Sequence, residues 1–214
     1  MALTEGQLWE NAFVINLAER KDRLDVFLQE FGHRVKNLHR IEAIKGEAGY
    51  AALRQACTLS HLAALDKAFE LRYEYFILFE DDACINPKYL ESISNALEEL
   101  PDDFDMFYLG AWTTEFKPYS ARLRRSEWSM LAHAILFSRR SLELIRNHVR
   151  ENTYLGARPV DYLYGDLHLR LNAYTCIPSF IIQRPTFSSI ENRFVDLSEK
   201  VNWQNNSTVS KDEI

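Results

Sequence analysis

The chain lacks a strong excess of either charge. Its 25 basic and 31 acidic residues leave a formal net charge of -6, the wrong sign for a general nucleic-acid binder. Cysteine is scarce: Cys57, Cys84 and Cys176 stand far apart, with no C-x-x-C pair and no disulfide framework. Buried free thiols in a reducing compartment are the simplest reading. No apolar run approaches the ~20 residues that a membrane-spanning helix needs. The start, MALTEGQLWENAF, has no basic-then-apolar layout of a signal peptide, so a soluble, cytoplasmic protein is expected. Internal repeats and low-complexity tracts are missing too, and the six histidines are scattered.

What is present suits one globular domain. At 214 residues with 47% apolar side chains, the chain can bury a full core without staples. The expected division is a single domain over residues 1–190, followed by a polar tail or linker at 191–214.

Apolar runs and helical stripes alternate along it. Residues 12–17 read as a buried strand. A helix is expected over 19–31, with Leu24, Phe27, Leu28 and Phe31 on one face and Gly32 as its stop. A second strand is assigned to 35–44. Gly46 and Gly49 mark a loop, and residues 51–71 carry a helical stripe through Leu59, Leu62, Leu65 and Phe69. Thr58 and Ser60 would cap or break that helix, and His61 is expected to pack or hydrogen-bond within the fold.

Phe76 to Phe79 form the next strand. Asn86-Pro87 opens a helix running through Leu100, and residues 105–110 return to a strand. This alternation implies an α/β fold, a mostly parallel sheet with helices on both faces. Residues 111–130 are aromatic and basic without helical period. They form either a β-ribbon packed on the sheet or a sugar-facing loop. Then follow a strand (131–137), a helix capped by Ser138 (139–149), a helix opened by Pro159 and running toward Leu171, and closing strands at 174–177 and 180–182.

The strongest chemical signal is Glu80, Asp81 and Asp82. A doubly buried strand ends abruptly in three adjacent carboxylates, which repel one another and raise each other's pKa. The carboxyl ends of strands in open α/β sheets are where ligands bind. Side chains two apart share a face, so Glu80 and Asp82 can converge on one cation. Oxygen ligands suit Mg²⁺ or Mn²⁺. A solvated acidic loop is the plain alternative, and the apolar run before the triplet favours the metal. Upstream, Asn16, Arg20 and Arg23 follow the first strand. The arginines either hold an anionic ligand or pair with Glu19 and Asp22. Asp161 and Asp166 flank the late helix, where an aspartate also favours the helix dipole.

Five segments in order resemble glycosyltransferase family 25, the lipooligosaccharide and collagen-type galactosyltransferases: FVINLAERKDRL, ACTLSHLAALDKA, FILFEDDACI, AHAILFSRRSLELI and PVDYLYGDL. The resemblance implies a GT-A, Rossmann-like fold and transfer of a hexose, galactose or glucose, from a UDP-sugar to a hydroxyl of a glycan or glycoprotein, by inversion. By position it implies that Asn16, Arg20 and Arg23 line the nucleotide pocket. Asp82 and Glu80 fall on the DxD-type motif that holds Mn²⁺ (or Mg²⁺) and the diphosphate, with Asp81 toward the donor's sugar or ribose. Asp161, then Asp166, is the implied general base. One of Arg122, Arg124 and Arg125 would add charge stabilisation. The chain departs from the pattern in lacking a clear third metal ligand, with Ser188 or Ser189 at that point. Two other classes fit parts of the same sequence: a metal-dependent hydrolase, and an inactive nucleotide-sugar-binding domain of a larger enzyme.

Overall fold

A computed structural model describes residues 3–47, 49–153, 158–188 and 193–197. A short helix α1 (Glu5–Leu8) precedes β1 (Asn11–Asn16), α2 (Lys21–Phe31) and β2 (Asn37–Glu42). The long α3 (Tyr50–Leu71) leads into β3 (Tyr75–Glu80) and β4 (Ala83–Ile85). A 3-10 turn at Pro87–Ser92 and α4 (Ile93–Glu99) connect to β5 (Met106–Tyr108). A hairpin follows, β6 (Trp112–Pro118) and β7 (Leu123–Met130), then β8 (Ala134–Ser138), α5 (Arg139–Asn152) and α6 (Val160–Gly165). The described chain closes with β9 (Ala173–Cys176), β10 (Ile181–Gln183), β11 (Thr186–Ser188) and β12 (Arg193–Val195).

Eight strands make one sheet in the order β2-β1-β3-β8-β5-β9-β7-β6. Six of them run one way, while β8 and β7 run against the rest. The central strands are apolar on both faces because each face meets its own core. Ala12, Val14, Ile77 and Phe79 pack with Phe27 and Phe31 of α2 and Ile93 and Leu97 of α4. Phe13, Ile15, Phe76 and Leu78 turn the other way, onto Leu65 and Ala68 of α3 and Leu142 and Ile145 of α5. The period-2 alternation therefore sorts one strand's residues between two layers of helices.

Four local expectations need correction. The helix expected from Asn86-Pro87 divides: Asn86 does cap, accepting from the Lys88 amide, but Tyr89 leaves helical geometry at φ -125° and only 93–99 is α-helical. Thr58 and Ser60 neither cap nor break α3, because their hydroxyls donate back to the Arg54 and Ala56 carbonyls at 3.1 and 2.7 Å. The late helix stops at Gly165 rather than near Leu171. A Cβ on Gly165 would lie 3.0 Å from the Trp128 ring, so that turn is packed directly under the hairpin. Finally, the excursion at 111–130 is the β-ribbon of the two alternatives, with β7 paired to β9 at the sheet's far side.

From the segment expected to be a tail, Arg193–Val195 pairs antiparallel with Thr186–Ser188. Residues 191–192 and 198–214 lie outside the described residues.

Candidate active site

Strands β1 and β3 lie side by side and parallel, with Ile15 opposite Glu80. The chain leaves β1 through α2 on one face and reaches β3 through α3 on the other. The order of strands thus reverses at this pair, which opens a crevice beyond their carboxyl ends. A cleft of about 630 Å³ lies there, and Arg20, Arg23, Glu80, Asp81, Asp82 and Asp161 all line it. The sequence places these residues up to 141 positions apart in the chain.

The three adjacent carboxylates have three different environments. Asp81 is 8% exposed and fully engaged: Asn16 Nδ2 donates to one oxygen and Arg23 to the other, both at 2.8 Å. Glu80 accepts from His61 Nε2 at 3.2 Å. Burial raises its pKa, but that hydrogen bond and the nearby His61, His133 and Arg23 bring the net shift below the ordinary value. Among the described residues, Asp82 has only a long contact from Gln183 Nε2, at 3.5 Å, and Arg23 at 3.9 Å. Burial, with Glu80 and Asp81 adding repulsion, raises the Asp82 carboxyl to about 7. A partly buried acid left without a strong partner beside a second carboxylate fits a divalent cation, and its donors are the hard oxygens such an ion selects. Asp82 and Glu80 are the residues that would hold it.

Asn16 differs from its expected place in the nucleotide pocket. It is 1% exposed, donates to the Arg20 carbonyl as well as to Asp81, and accepts from Arg40. It is an internal brace for Asp81, and the cleft is lined by its neighbours Ile15 and Leu17 instead. Arg23 lines the cleft but is committed to Asp81, Thr186 Oγ1 and the Phe187 carbonyl. It ties the acidic turn to β11. Arg20 lines the cleft with its guanidinium on Asp22, in the pairing that was the plain alternative. Arg122, Arg124 and Arg125 belong to the hairpin and are not among the lining residues. Arg124 is buried over the Phe116 ring, 4.2 Å from its centroid, and Arg122 pairs with Glu99.

Across the cleft, Asp161 sits in the first turn of α6. Its oxygens accept from the Leu131 amide at 3.4 Å and the Tyr162 amide at 3.1 Å. Leu131 reaches it in a left-handed conformation, φ 71°, a geometry a leucine adopts at a cost. Burial raises the Asp161 pKa. Asp166 is placed elsewhere. It accepts two hydrogen bonds from Arg158, at 2.7 and 2.9 Å, which lower its pKa, and it does not line the cleft. Ser188 ends β11; its side chain and all of Ser189 lie outside the described residues.

A profile of glycosyltransferase family 25 (LPS biosynthesis protein) matches residues 51–205. The chain belongs to glycosyltransferase family 25. No curated protein sequence matches it. Among solved structures, this family 25 chain is similar to a glycosyltransferase involved in glycosylation of the major capsid of PBCV-1. The TM-score is 0.50 at 11% identity, covering 91% of this chain and 97% of that one. It is also similar to a mannose-1-phosphate geranyltransferase from Thermus thermophilus (TM-score 0.47, 12% identity, 79% and 74% covered). A third likeness is to a Drosophila β1,4-galactosyltransferase 7 mutant in complex with manganese, UDP-Gal and xylobiose (TM-score 0.39, 12% identity, 95% and 77% covered). Only the first carries weight for the fold, and it supports the GT-A arrangement described above.

Other lining residues of this family 25 fold were not singled out by sequence. His61 is buried and hydrogen-bonded within the fold as expected, but its partners place it at the cleft: it bridges Glu80 and the Tyr164 hydroxyl, 3.2 Å from each. Cys57 stands one helical turn before it, and that i, i+4 spacing was the available signal. Arg54 stacks over the Tyr50 ring, 3.8 Å from its centroid. Among the described residues, no carboxylate pairs with it. Gln183 and Arg184 arrive from β10, whose pairing with β4 is set by long-range contacts alone.

Proposed function

We propose that this chain is a metal-dependent hexosyltransferase. It would move galactose or glucose from a UDP-sugar to a hydroxyl of a glycan or glycoprotein, with inversion. The observation that carries the reading is Asp82: a partly buried, poorly paired carboxylate beside Glu80, in a cleft at the sheet's switch point that Asp161 also lines.

Asp82 and Glu80 would hold Mn²⁺ or Mg²⁺, which supplies charge neutralisation for the departing diphosphate. Ile15, Leu17, Ala43, Ile44 and Tyr50 line one wall of the cleft, an apolar surface with one ring that suits a planar base. Arg54, on the same side, is the cation best placed to meet a phosphate, since Arg20 and Arg23 already have carboxylates. Asn16 and Arg23 hold Asp81, and with it the turn that carries Asp82. On the acceptor side, Asp161 receives the hydroxyl proton. The two amide donors fix its carboxylate, and its raised pKa brings it nearer to the operating pH of a general base.

Calorimetric titration of UDP-sugars with and without Mn²⁺ tests the reading. Metal-dependent binding with turnover to an acceptor is expected. Absence of metal-dependent UDP-sugar binding would sink it, and binding without turnover would favour an inactive donor-binding domain.

A further inference from the structure

We propose that Cys57, His61 and Glu80 form a second metal site in the same cleft, one for a thiophilic divalent ion such as zinc. One donor atom from each of the three lies within 4.8 Å of the others. Tetrahedral ligands at ordinary zinc bond lengths sit about 3.3–3.8 Å apart, so small side-chain rotations close the set. Cys57 and His61 project from one face of the rigid α3, and Glu80 comes from the adjacent end of β3. All three line the cleft, which provides an entry path and leaves the fourth position open to it.

His61 has the arrangement of a metal-binding histidine. It is fully buried, Nδ1 faces the Tyr164 hydroxyl, and Nε2 points at Glu80. With an ion in place of the proton on Nε2, the ring carries its proton on Nδ1 and donates it to the Tyr164 hydroxyl, an outer hydrogen bond that fixes the ring and that tautomer. The donor set is one sulfur, one nitrogen and one oxygen, which selects borderline and soft ions, whereas Asp82 offers oxygen alone. Binding of the ion would release one proton from Cys57 Sγ, because the thiolate is the ligand.

The two sites share Glu80. A thiophilic ion therefore draws Glu80 away from the Asp82 side and weakens donor binding there. That consequence rests on the proposed transferase reading; the site itself does not.

The test is optical and needs no donor: titration of the metal-free full chain with Co²⁺, following thiolate-to-cobalt charge-transfer absorption, then displacement by Zn²⁺. One thiolate-bound ion per chain is expected. The band should vanish in Cys57→Ser and persist in Cys84→Ser, Cys176→Ser and Asp82→Asn. Tyr164→Phe, which removes only the outer hydrogen bond, should weaken Co²⁺ binding about 10–100-fold. No thiolate band in the unmodified chain would overturn the proposal without reliance on any variant. A band that survives Cys57→Ser, or one lost in Asp82→Asn, would overturn it as well.

Discussion

Asp82 and Asp166 each stand just past the end of a regular element, and the protein treats them in opposite ways. At the end of α6, Asp166 meets the Arg158 guanidinium in two short hydrogen bonds with His148 nearby, and its pKa falls. At the end of β3, Asp82 has Arg23 only at 3.9 Å and Glu80 as a like-charged neighbour, and its pKa rises to about 7. The first carboxylate is satisfied by its own chain and contributes to the fold. The second is held at a cost that a ligand would relieve. A poorly paired carboxylate, more than acidity alone, marks the candidate site.

The sharpest way to break the contrast is Asp82→Asn. Metal-dependent donor binding should be abolished, yet the metal-free protein should become more stable at pH 8, by roughly 1–3 kcal/mol. The sign follows from the raised pKa. Above about pH 7 the folded protein must carry an ionised, largely shielded Asp82. That penalty fades as pH falls from 7 toward the ordinary carboxylate value of about 4, so the variant's advantage should fade in the same window. Thermal melts across pH, with and without Mn²⁺, read both effects. Donor and Mn²⁺ binding that survived the substitution would remove Asp82 from the site.

Asp161→Asn probes the acceptor side of the same cleft. Turnover should fall about 10²–10⁴-fold with donor affinity retained, because Asp161 faces the cleft from α6 and takes no part in holding Asp82. Asparagine keeps one acceptor oxygen, enough for either the Leu131 or the Tyr162 amide, so the fold should survive at a cost of about 1 kcal/mol. Kinetics alongside calorimetry separate the two quantities; unchanged turnover would strike Asp161 out as the base.

Much of this was legible because it is written in local pattern. The alternation of apolar runs and helical stripes gave the α/β sheet, and the abrupt change from Phe79 to Glu80 gave the site's location. Strand direction was less legible. The 134–138 strand is apolar on both faces, so it reads the same whether it runs with β3 or, as it does, against it. Pairings between distant residues were not legible at all. Asn16 looks like a pocket residue, and Arg23 like a free cation in the pocket, until Asp81, far along the chain, is seen to occupy both. Cys57 and His61 show their shared helix face in their spacing, but nothing local says that Glu80 completes the group. Only the resemblance ranks Asp161 ahead of Asp166 in a string of letters. Arg158, eight residues before Asp166, separates them by geometry.

Arg23 tests whether pairing is what distinguishes Asp81 from Asp82. Its side chain and that of Asp81 are both largely shielded, and its removal leaves Asp81 with Asn16 alone. Arg23→Gln should cost about 2–4 kcal/mol, as expected when one partner of a shielded pair is lost, with the loss of the Phe187 contact included. Chemical denaturation measures this. A cost near zero would mean that Asn16 suffices and that the Arg23 contact is incidental.

The smallest effect is expected at the other pole of the comparison. Asp166→Asn breaks a half-exposed pair with Arg158, worth about 1 kcal/mol after solvent screening. Because the Asp166 pKa is lowered in the folded state, its contribution is present above the ordinary carboxylate pKa and lost as pH falls through the folded value. The variant should therefore be slightly less stable at pH 7 and indistinguishable in strong acid, the reverse of Asp82→Asn. Transfer should proceed at the unmodified rate, since Asp166 lies outside the cleft lining. If turnover instead fell as steeply as in Asp161→Asn while stability held, the general base would have to be reassigned to α6's far end. The line drawn between a carboxylate that builds the fold and one that serves the chemistry would then move with it.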